Sequence, residues 1–388
     1  MQRSGVAGAL YRHVYEALRA EIQAGEPPVG ARLPSEAQLT RRFDVSVITV
    51  KRALDMLRAD GFIVRRPRVG TVIVSDVPTA ASSSPGQGSL PLVGCVLTNF
   101  DDTFGTHVLG GLLDASQTTA NLVLKRSVGD PVREDEAVRG LVAGDIKALV
   151  LEPASSEYVP PSVLELVTRG FPVVILDRTF DGVPVSTVCS DNVDAAKRAT
   201  EHLFSLGHAH VGLVSSSNRV STLEDRAEGF VHAHAEFHVP HEPHNDFRLV
   251  ESTTPGSTRS PEEDIDGLTD YLAERPHLTG VVATEYAIAN LLRAACQRLG
   301  RAVPEQLSIV CFDHPSTVSS RVPWTTHMAQ DQERMGAAAV ELALELLGGD
   351  RRVRKVLLPT TLVLGDSSAP PGAAGPRSDD PDVQHHVS

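Results

Sequence analysis

Cysteine is scarce in this chain of 388 residues, with only Cys95, Cys189, Cys296 and Cys311 present and no two of them forming a CxxC pair. That spacing signals neither a zinc site nor a dithiol motif, and the apolar runs around three of them fit buried thiols in a reducing compartment. Long apolar runs are missing too. No stretch approaches the roughly 18 apolar residues of a membrane span, and Met1–Leu10 lack the apolar core of an export signal. The expectation is a cytoplasmic protein with no membrane partner. Catalytic signatures are equally lacking: there is no G-x-S-x-G, Walker A or G-x-G-x-x-G motif, and Gly110-Gly111 follows no phosphate-loop pattern. No catalytic residue is assigned, and neither enzyme chemistry nor a cofactor is expected. Five histidines, His232, His234, His238, His241 and His244, crowd into VHAHAEFHVPHEPH. Their spacing fits no standard ligand set and Pro240 and Pro243 break the helix, so the segment reads as a surface helix end and loop, with no metal site.

What is present is ordinary globular composition, 41% hydrophobic and 22% charged, in a length that fits two or three domains. The net charge of −13 conceals an asymmetry. Residues 1–76 hold 12 Lys and Arg against 8 Asp and Glu, whereas the rest of the chain holds 24 against 41. A small basic module joined to a large acidic one is the pattern of a protein that meets a polyanion at one end.

Residues 77–91, VPTAASSSPGQGSLP, have the composition of a flexible linker, and residues 366–388 that of a disordered tail. Between them, residues 92–365 alternate apolar strand-like runs with helical patterns. LVGCVLT (92–98), NLVLKR (121–126), ALVLE (148–152), PVVILD (172–177), HVGLVS (210–215), GVVAT (280–284) and LSIVCFD (307–313) are the strand candidates. Short, continuously apolar runs each followed by a helix argue for parallel strands buried on both faces. Two such sets predict an α/β region of two doubly wound lobes, with ligand at the carboxyl ends of the strands.

Residues 1–76 read differently. Val14, Leu18 and Ile22 repeat at helical spacing after Tyr11. Ser35 with Gln38 forms a capping box and starts a second helix. Asp44-Val45-Ser46 is a tight turn, and Ser46 caps a third helix whose buried stripe is Val50, Leu54 and Leu57. That geometry leaves Val47, Thr49, Lys51 and Arg52 on the opposite face, where a recognition helix meets a major groove. FIVRR and GTVIV around Pro67-Arg68-Val69 predict a hairpin wing.

The run from Tyr11 to Val74, with LPSE, VS-x-x-TV-x-x-AL-x-x-L and DGFI…GT, resembles the winged helix-turn-helix of the GntR family of transcription regulators. The resemblance implies double-stranded operator DNA as a partner, contacted by Arg41, Arg42, Ser46, Val47, Thr49, Lys51, Arg52, Arg66, Arg68 and Thr71. It also has departures. Val47 and Ala37 stand where the family usually carries arginines, and Arg68 stands where the wing usually has glycine. Arginine grips guanine bidentately, whereas valine offers only apolar contact, so the usual operator sequence is not expected.

Residues 90–364 resemble the periplasmic-binding-protein-like sensor domain of LacI-type regulators. The resemblance rests on SDNVDAAKRATEHLFSLGHAHVGLVSS (190–216), EDRAEGF (224–230), LSIVCFD and VPWTTHMAQDQERMGAAAVELALELL (322–347). GntR-type heads on this sensor form the arabinose-repressor kind. The resemblance implies a small polar effector, a sugar or sugar derivative, bound between the lobes by Phe100, Asp177, Arg226, Thr284, Glu285 and Asp313. Asp191 and Asn192 read as caps of the following helix. Thr284-Glu285-Tyr286 replaces the Asn-Asp common in sugar-binding relatives, and a closing arginine is missing around Gly365, so an ordinary hexose is not the expected effector. Two function classes follow: an effector-controlled, homodimeric repressor, and a sugar-binding or sugar-modifying protein whose head serves only for dimerisation.

Overall fold

In the computed structural model, residues 4–66, 70–76, 90–100, 103–315 and 323–372 are described. The chain divides into two units, Met1–Ser89 and Leu90–Ser388.

The first unit follows its local signals closely. Helix α1 (Ser4–Gln23) buries Val14, Leu18 and Ile22. Helix α2 (Glu36–Phe43) starts at a complete capping box: Gln38 N donates to Ser35 Oγ (3.3 Å) and Ser35 N to Gln38 Oε1 (2.8 Å). It stops where Asp44 turns left-handed at φ 51°, a conformation that Asp tolerates better than most residues. Helix α3 (Val47–Ala59) begins at Ser46, whose Oγ accepts from Thr49 N at 3.2 Å. Val50, Leu54 and Leu57 pack with Leu39 and Phe62 in one core. Strands β1 (Ile63–Arg66) and β2 (Gly70–Ile73) pair antiparallel, and Arg32 bridges to Val72 beside them. The result is a winged helix-turn-helix.

The second unit holds two six-stranded sheets. The first lobe runs β3 (Leu92–Leu97), α4 (Thr106–Ser116), β4 (Asn121–Arg126), α5 (Pro131–Ala143), β5 (Ala148–Leu151), α6 (Pro161–Thr168), β6 (Val173–Leu176) and β7 (Ser186–Ser190). The chain then crosses to the second lobe. There it runs α7 (Asn192–Ser205), β8 (Val211–Ser216), α8 (Ser221–Glu236), β9 (Phe247–Val250), α9 (Pro261–Glu274), β10 (Gly280–Ala283), α10 (Tyr286–Arg298), β11 (Ser308–Phe312) and β12 (Thr326–Gln330). It returns for α11 (Gln332–Leu347) and β13 (Lys355–Leu358), and ends in the second lobe with β14 (Thr360–Val363).

The first sheet, ordered β13-β7-β6-β5-β3-β4, is wholly parallel. The second, ordered β14-β12-β11-β10-β8-β9, is parallel except for β14. Every residue of β5, β6 and β10 is buried, as expected where helices cover both faces of a sheet. Three chain segments join the lobes, at Asp191, Asp331 and Pro359. Asp191 accepts from Asp194 N (3.0 Å) and Asp331 from Arg334 N (3.0 Å), so two of the crossings are also helix caps.

Three expectations need correction. The segment from Asp366 is not a tail at its start: Ser367 Oγ accepts from Thr326 N (2.9 Å), Ser367 O from Ile309 N (2.7 Å), and Ala369 O from Ser308 Oγ (3.0 Å). Small polar residues, which composition assigns to disorder, here satisfy backbone groups on β11 and β12. The histidine-rich segment is not all surface. His234 is buried against Phe204 and Phe230, with Nδ1 3.1 Å from Val239 O, and His241 pairs with Asp246 at 3.1 Å. Asn192 does more than start a helix, as the site below shows. All four cysteines are buried and unbridged. Residues 77–89 of the expected linker, and 373–388 of the expected tail, lie outside the described residues.

Candidate functional site

In the first unit, α3 turns its buried stripe inward and leaves an exposed face. Val47 and Ile48 are 46% and 79% exposed there. The sequence reading missed Ile48, although its place opposite Val50 and Leu54 marks it. Lys51 and Arg52 are exposed, and Arg52 lies 4.3 Å over the Tyr11 ring. Ser46 Oγ and Thr49 Oγ1 are 2.9 Å apart, so the cap and the second turn-facing hydroxyl satisfy each other. Thr71 of β2 lines a shallow depression with Lys51. Arg41 is exposed, with no ion pair among the described residues. Arg42 departs from expectation: its guanidinium is paired with Glu21, Nη1 to Oε2 at 3.1 Å, and packs on Phe43. A phosphate would have to displace that carboxylate. Arg68, and the side chains of Arg65 and Arg66, lie outside the described residues.

In the second unit, a cavity of about 370 Å³ opens between the lobes at the carboxyl ends of their strands. Asp177 follows β6 and Asp313 follows β11, one from each lobe. Both sit in the left-handed region, at φ 64° and 59°. Non-glycine residues rarely occupy that region, and where they do they cluster at functional sites. Asp313 accepts from Gln330 Nε2 (2.6 Å), Gln330 N (3.3 Å) and Gln332 Nε2 (3.3 Å).

Arg226, on the first turns of α8, is 5% exposed. Its Nε donates to Asn192 Oδ1 (2.8 Å), its Nη1 to Thr284 O (2.5 Å), and its guanidinium lies 3.9 Å from the Phe312 ring centroid. Three partners fix one planar cation at the cavity wall. Asn192, read from sequence as a cap, therefore also positions Arg226. Burial pushes the carboxyls of Glu285 and Asp313 up, and Arg226 pulls both part of the way back. Burial likewise raises Asp177, which Arg178 and then Arg226 lower in part.

Of the expected effector residues, Asp177, Arg226, Glu285 and Asp313 line this cavity together. Phe100 does not: it packs on the first-lobe core, and Phe104, on the turn before α4, faces the cavity instead. Thr284 is buried behind the wall, where its hydroxyl meets Ser215 Oγ (3.3 Å) and its carbonyl meets Arg226. The sequence reading also missed Glu152 and Arg178. Arg178 Nη2 lies 3.5 Å from Glu152 Oε1, and Glu152 accepts from Thr98 N at 2.9 Å. The lobes touch at the rim: Ser221 N donates to Ser156 Oγ (2.8 Å), Thr179 N to Ser221 Oγ (2.8 Å), and Arg219 pairs with Glu157 (3.0 Å).

Behind Arg178, Glu134 is buried and accepts from Ala154 N at 2.5 Å. Burial pushes its carboxyl up from 4.5 to about 7. A carboxyl raised in the folded state stabilises fully below its unfolded value and loses that contribution as pH rises through the folded one. Glu134→Gln should therefore gain stability over the parent between pH 5 and 8, on the order of 3 kcal/mol. Urea unfolding of both proteins at the two pH values measures it, and parallel pH profiles would refute it.

Two family models match the chain: bacterial regulatory proteins of the gntR family over residues 10–73, and a periplasmic binding protein-like domain over residues 200–368. The arabinose metabolism transcriptional repressor of Geobacillus stearothermophilus is 24% identical over 341 residues, covering 87% of this chain and 91% of that one. The ribose operon repressor of Haemophilus influenzae is 23% identical over 332 residues, covering 85% and 97%. Among solved structures, the transcription regulator CcpA of Lactococcus lactis superposes with a TM-score of 0.62 at 21% identity, covering 72% of this chain and 99% of that one. A LacI-family regulator of Enterococcus faecium, solved with bound ribose, gives 0.59 at 22%, with the same coverage. No helix among the described residues is long and apolar enough to cross a membrane. The winged head, the two-lobed fold and these matches together make the chain a transcription regulator that joins a GntR-family DNA-binding domain to a periplasmic-binding-protein-like domain.

Proposed function

We propose that the protein is a homodimeric repressor whose hold on its operator is set by a small polyhydroxylated effector bound between the two lobes. The observation that carries this reading is the cavity itself, with Arg226 fixed in one orientation and Asp177 and Asp313 standing off the strand ends of opposite lobes. Fixed planar donors and acceptors suit a ligand rich in hydroxyls. The arabinose and ribose repressors among the relatives support the class. A dimer follows from the head, since one helix-turn-helix reads a half-site and two-fold symmetry doubles the contacts.

The first test is binding to the DNA upstream of the protein's own gene, measured by fluorescence anisotropy across salt concentrations. Log affinity should fall linearly with log salt. Lys51→Ala should weaken binding to all sequences alike and reduce the salt slope by about one. Ile48→Ala and Thr49→Ala should instead alter the ranking of operator variants, because contact with base edges is the role proposed for the first turn of α3. A salt-independent affinity, or a monomer bound at full affinity in sedimentation, would refute the reading.

A further inference from the structure

Acidic side chains outnumber basic ones on the cavity wall. Glu152, Asp177, Glu285 and Asp313 stand there against Arg178 and Arg226. Both arginines are already engaged: Arg178 with Glu152 and the carbonyl of Pro153, Arg226 with Asn192, Thr284 and the Phe312 face. Asp313 receives its hydrogen bonds from Gln330 and Gln332, and Glu285 receives one from Ser216 Oγ at 3.4 Å. Asp177 is different. It is 8% exposed, and its Oδ1 has no hydrogen-bond partner among the described residues. Gln330 Oε1 is a second unpartnered acceptor on the wall, beside one unpartnered donor, Arg178 Nε, and the hydroxyls of Thr253 and Thr254, which can do either.

A buried carboxylate oxygen without a donor is costly, and so is an uncompensated buried charge. The three simple kinds of polar occupant meet these demands unequally. A sugar phosphate or sugar acid adds charge of the sign already in excess. A neutral polyol supplies donors but leaves the charge. A polyol carrying an ammonium supplies both, since that group has three donors and a positive charge. Phe104 and Tyr286 also line the cavity, and aromatic faces favour cations.

We infer that the effector is a cationic polyhydroxylated molecule, of the amino-sugar or aminocyclitol class, whose ammonium group pairs with Asp177. Arg226 then serves the hydroxyls. Because it names the ligand class for the cavity, this inference rests on the proposed function.

The experiment uses the full-length protein, by isothermal titration calorimetry and by operator release. The probes are pentoses, hexoses and cyclitols, each as the neutral, amino, N-acetylamino and phosphorylated form. The N-acetyl form keeps the nitrogen but removes its charge. An amino form should bind at least tenfold tighter than its neutral and N-acetyl counterparts, and Asp177→Asn should erase that preference. Glu285→Gln, a second variant that keeps its bond to Ser216, should narrow it. Equal or tighter binding of a neutral or phosphorylated form overturns the cationic effector while leaving effector control intact. So does an amine preference that survives Asp177→Asn in a folded protein. Failure of the whole panel overturns the ligand class, whereas operator binding unaffected by any small molecule of the cell extract overturns the proposed function itself.

Discussion

An Arg226→Ala protein is expected to bind its operator with parental affinity and to ignore the effector, with effector Kd raised about 100-fold or more. Hydrogen bonds from a charged donor contribute about 1.5–3 kcal/mol each, and two of them lost correspond to two or more powers of ten in Kd. The loss is larger than contact counting suggests. Arg226 also supplies the cation that offsets burial of Glu285 and Asp313, so both carboxyls would rise further without it. Thr284 O and Asn192 Oδ1, both on buried residues, would lose their donor. Arg226→Lys separates the causes, because it keeps the charge but not the planar fork that reaches two acceptors at once. It should recover part of the affinity and little of the selectivity. Operator anisotropy with and without effector measures all three proteins. Response by the alanine variant at the parental effector concentration would remove Arg226 from the site.

The second large effect is on stability and comes from two glycines, Gly111 and Gly336. A Cβ on Gly111 would lie 1.9 Å from Glu333 O, and one on Gly336 would lie 2.1 Å from Val108 O, so α4 and α11 pack backbone to backbone at these points. Gly111→Ala or Gly336→Ala must part the helices. Overpacking typically costs about 1–3 kcal/mol, and a clash with main chain rather than with a flexible side chain belongs at or above the top of that range. Gly110 is the control, since nothing lies within 4 Å of its added Cβ. Gly110→Ala should stabilise α4 by up to about 1 kcal/mol, the helix preference of alanine over glycine. Denaturant unfolding of the variants should move the midpoints in opposite directions. If Gly111→Ala matches Gly110→Ala, the close helix contact is refuted.

These two cases show what the sequence made legible. Capping boxes, caps and apolar stripes are local, and Ser35, Ser46 and the Val50–Leu57 stripe fell where local chemistry puts them. Asp177, Arg226, Glu285 and Asp313 were found through family likeness, because their motifs stand beside recognisable strands and helix starts. Glu152 and Arg178 were missed, since their ion pair joins two loops and no spacing in the chain announces it. Phe100 was named because it follows the first strand, whereas Phe104, on the turn before α4, is the phenylalanine that lines the cavity. Gly111 read as an empty phosphate-loop test. Its reason, a helix packed closely from more than two hundred residues away, exists only in three dimensions. The same holds for Ser367, whose hydroxyl serves β12 from a segment that composition assigns to a tail.

The residue after each capped crossing has a further consequence. Asn192 follows Asp191 and holds Arg226; Gln332 follows Asp331 and holds Asp313. When one body swings on another, points near the axis barely travel while the rim sweeps widely. The groups proposed to grip the ligand are thus tied to the crossings, and the contacts among Ser156, Arg219 and Ser221 lie on the rim. Identity and sensitivity become separate settings. If the proposed effector acts by drawing the lobes together, substitutions at the edge should change how much effector is needed without changing which molecule is accepted. A lineage can retune its threshold in small steps and keep its signal.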